Sequence, residues 1–349
     1  ANLIVLHLGW AARLSAWARG KAGPLLAPLL FAVPYLLLVA LITAPWTVYT
    51  GFFREHAYGL SNQSLGAWGG EQLIGIAADT LIAAILWMGV SAVIRRFPRG
   101  WWLGGTGLTI AVLMATITLA PVYLDPLFND YTPLPEGPVK TEVLKLARAN
   151  GVPADNVFLV DASRQSDRIS ANVAGMFGTT RIALNDNLMK QDLNEIRAVM
   201  AHELGHYVLN HIWTLLFGMS LVIAASLALV AKGTPWLLAR LGGRWGITGM
   251  ADPGVLPVMI IMVSGVFFVA TPITNSLIRV HEQEADIFAH NAARAPDSFA
   301  RIAMKLSQYR KIEPTPLEEI IFFDHPSGHT RVMTAMRWKA EHLGEPDVR

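Results

Sequence analysis

The chain has 349 residues, no cysteine, 53% hydrophobic and only 15% charged residues, and a formal net charge of +2. Soluble domains carry about 25% charged residues, so this shortfall, with a mean hydropathy of +0.39, excludes intrinsic disorder and leaves a membrane protein or an oversized core. Zero cysteines exclude a disulfide framework, thiolate metal sites and thiol catalysis, and so small a net charge gives no reason to expect a nucleic-acid partner.

The opening stretch, Ala1 to Trp17, is apolar but interrupted by His7, Arg13 and Ser15; it reads as the tail of a further membrane span. Five complete apolar runs follow: Pro24 to Gly51, Gln72 to Ile94 (with Asp79 its one charge), Trp101 to Leu124, His211 to Ala231 and Val255 to Ile278. Each exceeds the length of about 18 residues that marks a membrane helix. Trp46, Trp68, Trp101, Trp102, Trp213 and Trp236 stand near their ends, where amphipathic rings prefer the interface. Four segments result: 1–124 with the N-terminal spans, 125–210 as a first polar segment, 211–278 with two further spans, and 279–349 as a second polar segment. In the first polar segment, Lys140 to Asn150 has helical spacing and stops at Gly151, and Val157 to Val160 is a strand. Ile169 to Val173 and Thr180 to Leu184 read as a hairpin around Gly175 and Gly178. From Gln191 a helical period runs without a breaker into the fourth span. The last segment reads as helices divided by Pro296, Pro314–Pro316 and Pro326–Gly328.

The helix entering the fourth span contains His202-Glu203-Leu204-Gly205-His206. At about 100° per residue the two histidines lie one turn apart on one face, so both imidazoles can grip one metal ion while Glu203 serves as general base for an activated water. Two histidines and a glutamate at a membrane boundary are costly unless they face a cavity or a ligand. A catalytic zinc site needs a third protein ligand. His211 lies about 180° from His202 on a continuous helix, and the extended pattern that would recruit a third histidine needs Gly at 209 and His at 212, where the chain has Leu209 and Ile212; His211 therefore reads as an interface residue or as one that supports a ligand from behind. The return of the fifth span brings His281-Glu282-Gln283-Glu284-Ala285-Asp286 back to the same side. Glu282 is the first candidate ligand, with Asp286 one turn on to orient an imidazole; Glu284 is the second and His281 the third.

With these residues, the sequence resembles the integral-membrane zinc metalloproteases called type I CaaX prenyl proteases, of the sterile-twenty-four type. The resemblance spans nearly the whole chain. It rests on His202-Glu203-Leu204-Gly205-His206, on Glu282 and Asp286, and on the linker from Asp125 to Gly137. It rests also on Ala171-Asn172-Val173-Ala174 within a hairpin, and on His325-Pro326 followed by Arg331. It implies a mainly α fold: a polytopic barrel of membrane helices enclosing a chamber, capped by a zinc metallopeptidase domain with a small β-hairpin or sheet. It implies one Zn2+ held by His202, His206 and Glu282, His325 and Arg331 as donors to the oxyanion, and Asn172 binding substrate backbone as an added strand. Arg331 could equally pair with Glu318 or Glu319. Asp79 would face the water-filled chamber, or be protonated and hydrogen-bonded inside the bundle. Val173-Ala174 departs from the family's small-then-aromatic pair.

The function expected is a membrane zinc endopeptidase acting on CaaX-type or other membrane-associated polypeptides, lipidated or membrane-embedded. The alternative is a zinc-binding membrane scaffold or quality-control factor without CaaX specificity. Composition has a bacterial look, which implies an inner-membrane location. The family's usual orientation puts the active site in the cytoplasm. The distal side, however, carries Arg13, Arg19, Lys21, Arg95, Arg96, Arg99, Lys232, Arg240 and Arg244, against Arg54 alone in the short proximal loop from Phe52 to Glu71. That bias argues the reverse.

Overall fold

The computed structural model describes residues 1–174, 180–308, 310–345 and 348. Two short helices, α1 (Asn2–His7) and α2 (Trp10–Lys21), come first. Gly9 separates them at φ 68°, a left-handed conformation that costs glycine nothing, so the expected single apolar span is two pieces. Next come α3 (Ala27–Val48), continued through a π-helical turn (Tyr49–Phe53) into α4 (Arg54–Ala57), then α5 (Leu65–Arg96) and α6 (Trp101–Tyr123). The polar segment adds β1 (Tyr131–Pro133), α7 (Pro138–Ala149), β2 (Val157–Val160), β3 (Ala171–Ala174), β4 (Arg181–Asn185) and α8 (Leu193–Val208). The chain closes with α9 (His211–Trp245), α10 (Leu256–Ala293), α11 (Pro296–Leu306), α12 (Pro316–Phe322) and α13 (Gly328–Glu341).

Five helices among the described residues are long and apolar enough to cross a membrane: Ala27–Ala57, Leu65–Arg96, Trp101–Tyr123, His211–Trp245 and Pro253–Ala293. They match the five expected runs, with the second, fourth and fifth extended, the first shifted toward the C-terminus and the third ending one residue earlier. The fourth continues as helix through Lys232, Arg240 and Arg244, which the sequence alone suggests lie in a loop. The fifth continues past Arg279 to the end of α10, carrying Glu282 and Asp286 on the same rod. Trp46 and Trp236 are exposed as interface residues should be, whereas Trp101 is buried and belongs to the core. Asp79 stands exposed on α5 and is not packed inside the bundle.

The residues gather into two compact units. One, Ala1–Gly59 with Gln63–Ile117 and Met219–Ala270, is membrane helices. Lipid tails are as apolar as leucine, so helices there associate by close packing over small residues. A Cβ on Gly89 would meet Leu108 at 2.5 Å, one on Gly104 would meet Val93 at 2.8 Å, and one on Gly233 would meet Met262 at 2.5 Å. Phe31 and Tyr35 stack at 5.3 Å in its core, and the Tyr35 hydroxyl donates to Asn2 Oδ1 at 2.8 Å.

The other unit, Leu60–Asn62 with Thr118–Gly218 and Thr271–Arg349, holds the sheet and the polar helices. The strand order is β1-β2-β4-β3. β1 and β2 are antiparallel, β2 and β4 parallel, β3 and β4 antiparallel with Asn172 opposite Ala183. The two expected hairpin strands do pair; Gly175 and Gly178 lie outside the described residues. β1 is an addition to the expected elements, because three residues ending in Pro133 give no alternation to read. Ile182 and Leu184 of β4 pack with Ile196, Met200 and Leu204 of α8 and with Phe299 and Ile302 of α11. Asp192 caps α8, accepting from the Asn194 and Glu195 backbone N–H groups and so satisfying donors that a helix start leaves open. Buried Glu195 accepts from Lys305 at 2.7 Å and Arg301 at 3.3 Å, tying α8 to α11.

Candidate active site

α8 presents His202 and His206 one turn apart, and their Nε2 atoms lie 3.1 Å from each other. Glu282 of α10 faces both, with Oε2 3.2 Å from His202 Nε2 and Oε1 3.5 Å from His206 Nε2. Close approach of the two helices makes this possible: a Cβ on Gly205 would sit 3.1–3.2 Å from Phe288. Gly205→Val is therefore expected to overpack this contact, at about 1–3 kcal/mol, and to weaken metal binding by moving α10 and Glu282 away from the histidines. Thermal unfolding with and without metal measures both.

Both imidazoles are anchored through Nδ1. His202 Nδ1 donates to Asp286 Oδ1 at 2.8 Å. Asp286, 2% exposed, also accepts from Arg331 Nε at 2.9 Å and Nη2 at 2.6 Å. Arg331, delivered by α13, is thus bound in bidentate fashion to Asp286. Glu318 instead accepts from Lys311 and the Thr315 backbone, and Glu319 from the Ser327 backbone, so neither takes the arginine. His206 Nδ1 lies 2.9 Å from His211 Nδ1. That contact corrects the helical-wheel reading. The expected continuous helix is broken at Asn210, which sits at φ 58°, a region Asn enters more easily than most residues. The break resets the phase, and His211 swings beside His206 instead of lying on the opposite face.

His325 completes the group. Asn275 Nδ2 donates to the Ile321 carbonyl at 2.8 Å, and Arg279 Nη1 donates to the carbonyls of Glu319 at 2.9 Å and Phe323 at 2.5 Å. These bonds pin α12 to α10, and the chain leaving α12 brings His325 Nε2 to 3.4 Å from Glu282 Oε1. Its Nδ1 donates to Asp324 Oδ1 at 2.9 Å, and Asp324 also accepts from Arg310 at 3.1 Å. Asp324 is a residue beside the site that sequence reasoning misses; its one signal is its place immediately before His325.

His202, Glu203, His206, Glu282, His325 and Arg331 all line one cleft of about 350 Å³. Val199, Phe299, Ile302 and Leu306 give its lining an apolar part, and Ile169 to Ala171 line it as well. Asn172 is not among the lining residues; it is exposed on β3, the outer strand of the sheet. Burial pushes the Glu203 carboxyl up to about 7. Burial pulls His202 down, but its bonds to Asp286 and Glu282 outweigh that and hold it at about 9. Burial, with His202 beside it, pushes His206 down to about 4, so His206 is the neutral imidazole that metals bind.

The donor set fits a zinc ion. Two imidazole Nε2 atoms and one carboxylate oxygen lie within 4.8 Å of one another. Glu282 Oε2 is buried with only the 3.2 Å approach of His202 Nε2 beside it, and each histidine has its other nitrogen engaged, the arrangement that fixes a metal-binding tautomer. Three protein ligands with room for a fourth is the catalytic zinc pattern.

Comparison with known proteins agrees. Residues 133–339 match the model of peptidase family M48, and residues 1–130 match that of the CAAX prenyl protease N-terminal region with five membrane helices. An uncharacterized metalloprotease of Bacillus subtilis, YhfN, is 30% identical over 305 residues, covering 86% of this chain and 71% of that protein. CAAX prenyl protease 1 of Saccharomyces cerevisiae is 26% identical over 326 residues, covering 87% and 70%. The crystal structure of S. mikatae Ste24p superposes with a TM-score of 0.78 at 22% identity, covering 95% of this chain and 82% of that one, which shows a shared fold. The chain therefore belongs to peptidase family M48, as a multi-pass membrane metalloprotease with the CAAX prenyl protease N-terminal region.

Proposed function

We propose that the protein is a zinc-dependent endopeptidase of the membrane whose ion is held by His202, His206 and Glu282. The observation that carries this is the convergence of two Nε2 atoms and a buried carboxylate, with both Nδ1 atoms engaged behind them. Zinc bound there supplies a Lewis acid that activates water and polarises the scissile carbonyl. Glu203 takes the proton from the attacking water on its carboxylate and passes it to the leaving amine. His325 donates from Nε2 to the developing oxyanion, with Asp324 holding the ring through Nδ1. Arg331 acts through Asp286, as a clamp on the carboxylate that orients His202, which revises its assignment as an oxyanion donor. A substrate strand adds along the outer edge of β3, where Asn172 is exposed to meet it. The substrates are polypeptides presented at the membrane, of CaaX type or otherwise, with a bacterial inner membrane as the setting. The family's usual orientation favours a cytoplasmic active site over the contrary charge bias.

The test is metal content against turnover. The purified chain is expected to carry one zinc and to cleave a generic peptide. A chelator should abolish cleavage, and one equivalent of zinc should restore it. His202 must surrender a proton it otherwise holds up to about pH 9, so zinc affinity should rise with pH through the neutral range. Stoichiometric zinc without cleavage would favour the scaffold reading; no zinc would sink both.

A further inference from the structure

We propose that His211 and Glu284 form a hydrogen-bonded strut that fixes His206 in its metal-binding orientation. The proposal rests on the reading of His206 as a ligand. His206 Nδ1 and His211 Nδ1 are 2.9 Å apart, and His211 Nε2 is 3.1 Å from Glu284 Oε2. These distances set the tautomers. Glu284 accepts from His211 Nε2–H, His211 offers its Nδ1 lone pair, and His206 donates Nδ1–H to it, leaving the His206 Nε2 lone pair directed at Glu282 and His202. The strut is itself braced. His281 stacks on His211 at 4.6 Å and 23°, its Nε2 lies 3.0 Å from Thr214 Oγ1, and the Thr214 hydroxyl donates to the His211 carbonyl at 3.1 Å. His211 and His281 are both buried, at 5% and 8% exposure. Burying an imidazole is unfavourable unless its polar atoms are used; both His211 nitrogens are engaged, whereas His281 Nδ1 is buried without a hydrogen-bond partner. A histidine needed only for packing would have no reason to be lined up between a carboxylate and a ligand nitrogen.

Each candidate ligand imidazole thus has its own support: Asp286 with Arg331 behind His202, and His211 with Glu284 behind His206. Glu284 is the second-ranked candidate ligand on sequence grounds; its carboxylate reaches the site only through two imidazoles. Outer partners of this kind are worth about 10–100-fold in metal affinity.

The test is zinc affinity by chelator competition on the full chain in nanodiscs, together with thermal unfolding of the metal-free and zinc-loaded forms. His211→Ala and Glu284→Ala are each expected to raise the zinc Kd about 10–100-fold, with the double variant no worse than the poorer single one. Glu284→Gln, whose amide oxygen can still accept from His211, should recover part of the loss. The metal-free Tm should be nearly unchanged in Glu284→Ala and lower in His211→Ala, which loses buried packing, while in both the rise on adding zinc shrinks, because stabilisation by a ligand grows with the logarithm of its affinity for the folded form. Wild-type affinity in His211→Ala and Glu284→Ala would overturn the strut, as would an equal fall in the Tm of both forms. Should His211→Ala not fold, the half-exposed Glu284 side chain gives the same reading by itself. Wild-type affinity in His206→Ala would overturn the ligand assignment instead.

Discussion

Glu203→Gln is expected to keep one zinc per chain and lose about 10²–10⁴-fold in kcat, the usual share of a positioned general base, equivalent to about 3–5 kcal/mol of barrier. The amide is isosteric and cannot take a proton. Glu203 is not among the three converging donor groups, so metal content should not change. KM should hold, because the lost interaction belongs to the transition state. The carboxyl is well matched to proton transfer at neutral pH. Burial has brought it up to about 7, and a base with a pKa near the working pH balances its ionised fraction against its proton affinity. Full turnover by this variant would remove Glu203 from the mechanism.

The second large effect is expected at Asp286. Its carboxylate joins His202 to a bidentate Arg331. Asp286→Ala should cost about 3–5 kcal/mol of stability, the penalty for stranding a buried charge, and about 10–100-fold in zinc affinity through the loosened His202 ring. These losses have different causes and can be separated. Removing the arginine as well, in Asp286→Ala with Arg331→Met, takes away the stranded charge and should recover most of the stability. It should recover none of the zinc affinity, since His202 still lacks its acceptor. A double variant that regains both would mean that Asp286 serves the fold alone.

The residues behind these effects are legible in the sequence to different depths. The pairing of His202 with His206 follows from helical spacing alone, because both lie within one unbroken helix. The spans follow from their lack of charge, although their ends do not: α9 runs on through Lys232 and Arg244, since long basic side chains can carry their charge to the interface while their stems stay apolar. Helical phase fails at Asn210. One residue at positive φ resets the rotation of everything beyond it, and a lone asparagine is a weaker stop signal than glycine. Contacts between distant segments are the least legible. Arg331 has several carboxylates within sequence reach, and the choice of Asp286 is made by how α13 returns against α10. Asp324 needs the same tertiary information, for its value lies in where His325 points.

The break at Asn210 and the unbroken run of α10 make the two halves of the site mechanically unequal. The histidines ride on α8, which a left-handed residue separates from the helix that follows, with the His206–His211 contact bridging the break. Glu282 rides on the rod that crosses the bilayer, ten residues beyond Pro272, the proline inside α10 and the natural place for that helix to bend. Ten residues of helix make a lever of about 15 Å, so a swing of about 10° at Pro272 carries Glu282 through roughly 2.6 Å, close to a whole ligand bond length. The placement of Glu282 relative to the histidines is therefore sensitive to the bend of α10 at Pro272.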